Sequence, residues 1–194
     1  MIRRIMLDLD DVCNSFTMHV LGHVYGCEVG SYDYDRFPVE CGYGILAARE
    51  VLSPHLPRLS KSEFWDSITR DVWRTLPPSR ELNWLLGHCE ELVGKENVCL
   101  LTAPTIDPES LAGKLEWIHS NLPSWLHRQF LIGPVKHFCA RPDTLLIDDR
   151  DENCRLFAEH GGQSLLVPRP WNKLAHVNTQ DYLCRFFNQV LEVS

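Results

Sequence analysis

Short apolar runs that stop abruptly at polar clusters set the pattern of this chain. Ile5 to Asp10 is the first, Val98 to Thr102 with Ala103 and Pro104 behind it the second, and Thr144 to Asp149 the third. Ser164 to Val167 is a fourth, and Gln129 to Ile132 a weaker fifth. Runs this short, without polar alternation, fit strands buried on both faces, as in parallel sheets. Helical patterns lie between them. Asp107-Pro108-Glu109 supplies an N-cap, a proline at the first helical position and an early acid, and leads into a helix from Leu111 to Leu122. Asp151 to His160 reads as another helix, closed by Gly161-Gly162, and Asn178 or Thr179 can cap a last one through Tyr182, Phe186, Phe187 and Val190. Strands alternating with helices imply an α/β fold with a Rossmann-like, doubly wound parallel sheet.

The stretch from about Ser15 to Lys95 breaks that rhythm. It predicts a helix near Phe16 to Tyr25, a loop rich in tyrosine and glycine from Gly30 to Gly44, and a helix from Ile45 to Leu52. A capping box, Ser60-Lys-Ser-Glu63, opens a further helix running to Trp73, and Arg80 to Leu92 reads as one more. The division expected is therefore a catalytic core of residues 1–14 and 96–194, with 15–95 as an inserted helical cap. The rings of the insertion, Phe64, Trp65, Trp73 and Trp84, are core by default, with a minority open to a ligand.

Composition narrows the classes of function. A formal net charge of −7 opposes a general affinity for long nucleic acid or for an anionic membrane, both of which favour a basic face. It leaves room for a small anionic substrate, because a bound cation reverses the local sign. Eight scattered cysteines without a CxxC pair support neither a zinc ribbon nor a thioredoxin-type site. No signal peptide or membrane span is legible, so the thiols read as reduced and the location as cytoplasmic.

In open α/β sheets ligands bind at the carboxyl ends of the strands. The residues that end the apolar runs are therefore the ones to inspect: Asp8 and Asp10, Thr102, and Asp148 and Asp149, with Lys136 ahead of the third run. Carboxylates gathered this closely need a cation, and Mg2+ takes oxygen ligands while leaving positions for water and phosphate. Asp8 and Asp148 can supply side-chain oxygens and Asp10 a backbone carbonyl. Lys136 offsets the remaining charge, with Lys114 and Lys173 as rivals for that role. Thr102 can hold a phosphoryl oxygen. This set suits in-line phosphoryl transfer, with a carboxylate as nucleophile and Asp10 placed to move the proton.

Asp8-Leu-Asp10-Asp11-Val12, Leu101-Thr102, Lys136 and Leu146-Ile-Asp148-Asp149 resemble, in order, the four motifs of the haloacid dehalogenase superfamily. The resemblance implies a nucleophilic role for Asp8, acid and base work for Asp10, and phosphate binding by Thr102 and Lys136. It implies magnesium at Asp8, Asp10 and Asp148, with Asp149 either in the outer metal shell or a partner of Lys136. The position of the insertion and the phrase Leu145-Leu-Ile-Asp-Asp-Arg150 are similar to the 5'(3')-deoxyribonucleotidases, which implies a nucleotide substrate held near Thr102, Ala103 and Lys136, its base on Phe16. Position 11 is Asp where those enzymes usually carry Gly, and position 103 is Ala where a hydroxyl residue often follows the threonine.

Competing readings stand beside this one. Asp11 could repel phosphate and mark a weakly active, regulatory module, and a sugar phosphate or a nucleic-acid 3'-phosphate end could replace the nucleotide. A response-regulator receiver is disfavoured by motif order, and a dehalogenase by the magnesium set. His19, His23 and Cys27, at i, i+4 and i+8, can share a helix face attractive to zinc, though no fourth ligand is evident. Arg150 and Trp171 are further candidates for substrate contact.

Overall fold

The computed structural model describes residues 1–192. Five strands, β1 (Arg4–Leu7), β2 (Val98–Thr102), β3 (Phe130–Ile132), β4 (Thr144–Asp148) and β5 (Gln163–Leu166), form one sheet in the order β3-β2-β1-β4-β5. Every pairing is parallel, with Ile5 opposite Val98 on one side and Leu145 on the other. The central strands are apolar throughout because helices cover both faces, so Ile5, Leu7, Leu100, Leu146 and Ile147 are all fully buried. The strand order reverses at β1, between β2 and β4, which places a crevice above the carboxyl ends of these strands.

The connection from β1 to β2 carries the insertion. α1 (Phe16–His19) passes directly into a π-helical turn (Val20–Val24), and α2 (Ile45–Leu52), α3 (Lys61–Asp66), α4 (Arg70–Thr75) and α5 (Leu82–Val93) follow. The capping box at Ser60 and Glu63 is present, but the helix expected to reach Trp73 is two helices. The break has a local cause. The Phe64 carbonyl, which a continuing helix would offer to the Ile68 N–H, accepts from the Tyr25 hydroxyl at 2.5 Å and from the Ser67 hydroxyl at 2.9 Å. The boundary at residue 95 also takes in α5, although α5 packs against β1 and β2 and so belongs to the layer covering the sheet.

After β2 come α6 (Glu109–Asn121), then α7 (Asp151–Glu159) and α8 (Thr179–Leu191), the last capped by Asn178 accepting from the Asp181 N–H. Asp107 caps α6 through the Glu109 N–H at 2.9 Å, and α7 ends at Gly161, whose φ of +87° continues the chain into β5. α4 crosses α6 so closely that a Cβ on Gly113 would lie 2.5 Å from the Trp73 Cβ and 2.7 Å from the Arg70 carbonyl oxygen. That contact brings the neighbouring Lys114 to the mouth of β2. Among the described residues no helix is long and apolar enough to cross a membrane.

Candidate active site

Asp8 follows β1 directly, and its N–H continues the ladder to the Ile147 carbonyl at 2.9 Å. One carboxylate oxygen, Oδ1, accepts from the Leu9 N–H at 2.8 Å and meets the Lys136 ammonium at 2.6 Å. The other makes no hydrogen bond to the described residues. The chain then leaves the strand, since both the Cys13 and Asn14 N–H groups turn back to the Leu9 carbonyl. Asp10 therefore takes its position from this turn rather than from strand periodicity, with Asn14 Nδ2 donating to it at 3.1 Å.

Two lysines serve the cluster. Lys136, from the turn Lys136–Cys139 after β3, bridges Asp8 and Asp148, the latter at 2.7 Å. Lys114, from α6, donates to Asp10 at 2.5 Å, to the Thr102 hydroxyl at 3.0 Å and to the Ala103 carbonyl at 2.7 Å. The two are not rivals; each has its own carboxylates. Thr102 lies buried behind Lys114 and does not line the cavity, whereas Ala103 and Lys136 do. Lys173 is on the surface, 3.6 Å from Asp151.

The neighbouring acids Asp148 and Asp149 differ in how their oxygens are engaged. Asp148 has both oxygens engaged: Oδ1 by the Arg150 N–H and Asn153, Oδ2 by Lys136 and Asn153, all at 2.7–3.0 Å. Asp149 accepts from the Trp171 indole N–H at 2.6 Å through Oδ2 and leaves Oδ1 without a partner. Lys136 is thus the partner of Asp148, not of Asp149. Oxygens of Asp8, Asp148 and Asp149 come within 4.8 Å of one another, the one such group of three among the described residues. The Asp10 carboxylate stands outside it, tied to Lys114.

Three buried carboxylates thus face one ammonium, a surplus of two negative charges. Burial, and then the neighbouring Asp148 and Asp149 against the opposing pull of Lys136, push the Asp8 carboxyl up to about 8. Burial and Asp148 likewise hold Asp149 well above the usual carboxylate range. Burial alone would lower Lys136, but Asp8 and Asp148 outweigh it and hold the ammonium above the usual lysine range. A divalent cation with oxygen ligands cancels this surplus, so the donor set fits magnesium.

Asp11 lies at φ 58°, the left-handed conformation that glycine adopts freely and Asp tolerates. Its carboxylate is tied to α1, accepting from the Thr17 N–H at 2.9 Å and the Thr17 hydroxyl at 2.6 Å. Burial pushes it up to about 7 even so. Its carbonyl accepts from the buried Arg169 guanidinium at 2.8 Å, which also reaches Glu81 at 3.2 Å and lies over the Tyr34 ring. The sequence pattern marked Lys114 only as a rival to Lys136 and gave Asn14 and Arg169 no role at the site. Lys114 and Arg169 are distant along the chain from the acids they serve, and no strand ends at either.

These groups floor a cavity of about 600 Å³ between the sheet and the insertion. Phe16 forms part of its wall but is only 5% exposed, stacked on Trp73 at 4.6 Å with Trp65 parallel at 6.4 Å. The loop after Gly30 closes one side. The Tyr43 hydroxyl donates to the Asp149 carbonyl at 2.9 Å and accepts from the Asp151 N–H at 2.7 Å, and the Arg150 guanidinium rests 5.1 Å from its ring centre. Trp171, by contrast, is held inward by Asp149. The His19 and His23 rings stack at 4.8 Å, and His19 Nδ1 meets the Ser31 hydroxyl.

No protein-family model matches the chain, and no curated protein matches it. Solved structures do. A HAD family hydrolase from Deinococcus radiodurans R1, with bound phosphate and sodium, is 9% identical at a TM-score of 0.53, covering 97% of this chain and 88% of the other. The fold is that of the haloacid dehalogenase-type hydrolases. A HAD family enzyme from Bacteroides thetaiotaomicron, in complex with magnesium, gives 15% identity and a TM-score of 0.39 over 91% of this chain and 98% of that one. The L-2-haloacid dehalogenase of Xanthobacter autotrophicus gives 12% and 0.46 over 97% and 83%.

Proposed function

We propose that this chain is a magnesium-dependent phosphomonoesterase that works through an aspartyl-phosphate on Asp8. The observation that carries the reading is the state of Asp8: one oxygen is pinned by the Leu9 N–H and Lys136, and the other is unengaged at the floor of the cavity. The free oxygen is the nucleophile, and Lys136 holds the carboxylate in place for attack. Asp10 protonates the departing alkoxide and then takes the proton from the water that cleaves the acyl phosphate. Lys114, set by Thr102 and the Ala103 carbonyl, is the second cation for the phosphoryl oxygens, and an arriving phosphate competes with Asp10 for it. Asp8, Asp149 and the Asp10 carbonyl would hold magnesium, with Asp148 behind them orienting Lys136. Bound there, the ion neutralises charge on the carboxylates and on the phosphoryl group. A neighbour in fold crystallised with phosphate supports the substrate class.

For the substrate, a nucleoside monophosphate, whose nucleoside is the leaving group, fits a cavity walled by parallel rings. Its base would pack on Trp65, the half-buried outer ring, since Phe16 already lies against Trp73. The regulatory alternative drew on Asp11, whose two oxygens are both taken by Thr17. Eight free thiols support a reducing, cytoplasmic setting. The test is phosphate release from a panel of nucleoside monophosphates and sugar phosphates, with and without magnesium, beside Asp8→Asn. Magnesium-dependent release lost in the variant is expected. Full activity in a folded Asp8→Asn protein would sink the reading.

A further inference from the structure

The cations and carboxylates of the cavity are distributed unevenly. All the acids that line it, Asp8, Asp10, Asp11 and Asp149, belong to the two loops at its floor. The two lysines there are already matched, Lys136 with Asp8 and Asp148, Lys114 with Asp10. Two more cations line the same cavity, Lys61 from α3 of the insertion and Arg150 from the turn between β4 and α7, both exposed. Neither forms an ion pair among the described residues, and no acid lines the wall outside the floor loops. Arg150 is also preorganised. Its guanidinium rests on the Tyr43 ring, and that ring is fixed at its hydroxyl by the Asp149 carbonyl and the Asp151 N–H. In a chain of net charge −7, Lys61 from the insertion and Arg150 from the core line one aromatic cavity without an ion pair among the described residues, Glu152 acting on Arg150 only at longer range, and this suits an anion there.

The phosphoryl group that reacts belongs at the floor, where Asp8, Lys136 and Lys114 converge, so it does not use the rim. We propose that the substrate carries a second anionic group, a phosphate or a carboxylate, held by Lys61 and Arg150 while its phosphate ester lies on Asp8. This rests on the phosphatase reading for the identity of the first group. The second group adds affinity and orientation rather than chemistry, so its loss raises KM and leaves kcat little changed. Lysine from the insertion and arginine from the core also tie the two together when the substrate is bound.

Two pairs of compounds test this on the magnesium-loaded protein. Benzylphosphonate and 4-carboxybenzylphosphonate cannot be hydrolysed, and calorimetry reads their binding; adenosine 5'-monophosphate and adenosine 3',5'-bisphosphate report turnover and a second phosphate. The doubly charged member of each pair is expected to bind, or show a KM, roughly tenfold better, the size of one charge-assisted contact. In Lys61→Met/Arg150→Met that advantage disappears while the singly charged member is unaffected; Arg185→Met, on α8 outside the cavity, keeps it. Equal binding within both pairs, no binding of any member, or an advantage that survives the double substitution would overturn the inference. A preference for the carboxylate alone or the phosphate alone identifies which second group is meant. Phosphonate preference without phosphate release would sink the phosphatase reading and leave the rim standing. Turnover of both nucleotides without preference in either pair would do the reverse.

Discussion

At the floor of the cavity two ammonium groups divide three carboxylates between them, and the division suggests their tasks. Lys136 spans Asp8 and Asp148 and so serves the proposed nucleophile; Lys114 grips Asp10 and Thr102 and so serves the proposed proton carrier. Replacing Lys114 with Met removes one cation from the phosphoryl group and frees Asp10. We expect kcat to fall about 10²-fold, the usual effect of deleting one transition-state donor, with a smaller change in KM. Steady-state kinetics on the best substrate of the panel checks it; unchanged kcat would return Lys114 to a structural role. The acids were legible in the sequence because each ends an apolar run, where an α/β sheet delivers ligand contacts. Lys114 was visible only as a rival to Lys136, because a lysine in mid-helix carries no local mark of what lies across from it. The pairing within Asp148-Asp149 was equally hidden, since adjacent residues at a strand end point apart and only their hydrogen bonds separate the roles.

The elements themselves follow from short-range pattern wherever a cap or an apolar run bounds them. Every expected strand is present, including the weak one at β3, and α2, α6, α7 and α8 lie close to their signals. The departures occur where tertiary contacts compete for backbone groups, as at Phe64, whose carbonyl goes to Tyr25 and splits the helix after the capping box. The crossing of α4 and α6 is another product of packing, and Gly113 is its condition. Gly113→Ala puts a methyl group against the Trp73 Cβ and a backbone carbonyl, neither of which can yield by rotating a side chain. A loss of about 1–3 kcal/mol is expected for overpacking of this kind. Thermal unfolding reads it as a lowered Tm, at about 2–4 °C per kcal/mol for a domain of this size. Activity should fall with it, because Lys114 is the next residue. An unchanged Tm would mean that the two helices separate at little cost.

For the whole molecule, the buried acids make stability depend on pH. Asp8 and Asp11 have folded values raised to about 8 and about 7, above the ordinary carboxylate value of 3.8. The native state therefore binds more protons than the unfolded chain between that value and pH 8. Stability of the metal-free protein must fall as pH rises through this window and level off above it. Melting curves from pH 6 to pH 8.5 should show a declining Tm, with a shallower decline in Asp11→Asn. On the proposed magnesium site, the ion binds the ionised cluster and not the unfolded chain, so adding it should raise Tm most at the alkaline end. A Tm that climbs across the window without metal would contradict this picture of the cluster.

The clamp on the first catalytic loop has a consequence for the order in which the protein can be completed. Asp8 to Asp11 are made well before the guanidinium that holds the Asp11 carbonyl, which belongs to a residue 158 positions later. The strand on the far side of β1, with its two acids, is also late, beginning at Thr144. At about 5–20 residues per second, synthesis leaves this loop without its anchor for roughly 8–30 s. A nascent chain paused before Arg169 would hold the nucleophile, the proton carrier and both lysines, yet lack the tether that fixes their loop. Competence for chemistry should therefore appear late and abruptly as the chain lengthens, after nearly all of its active-site residues have already been made.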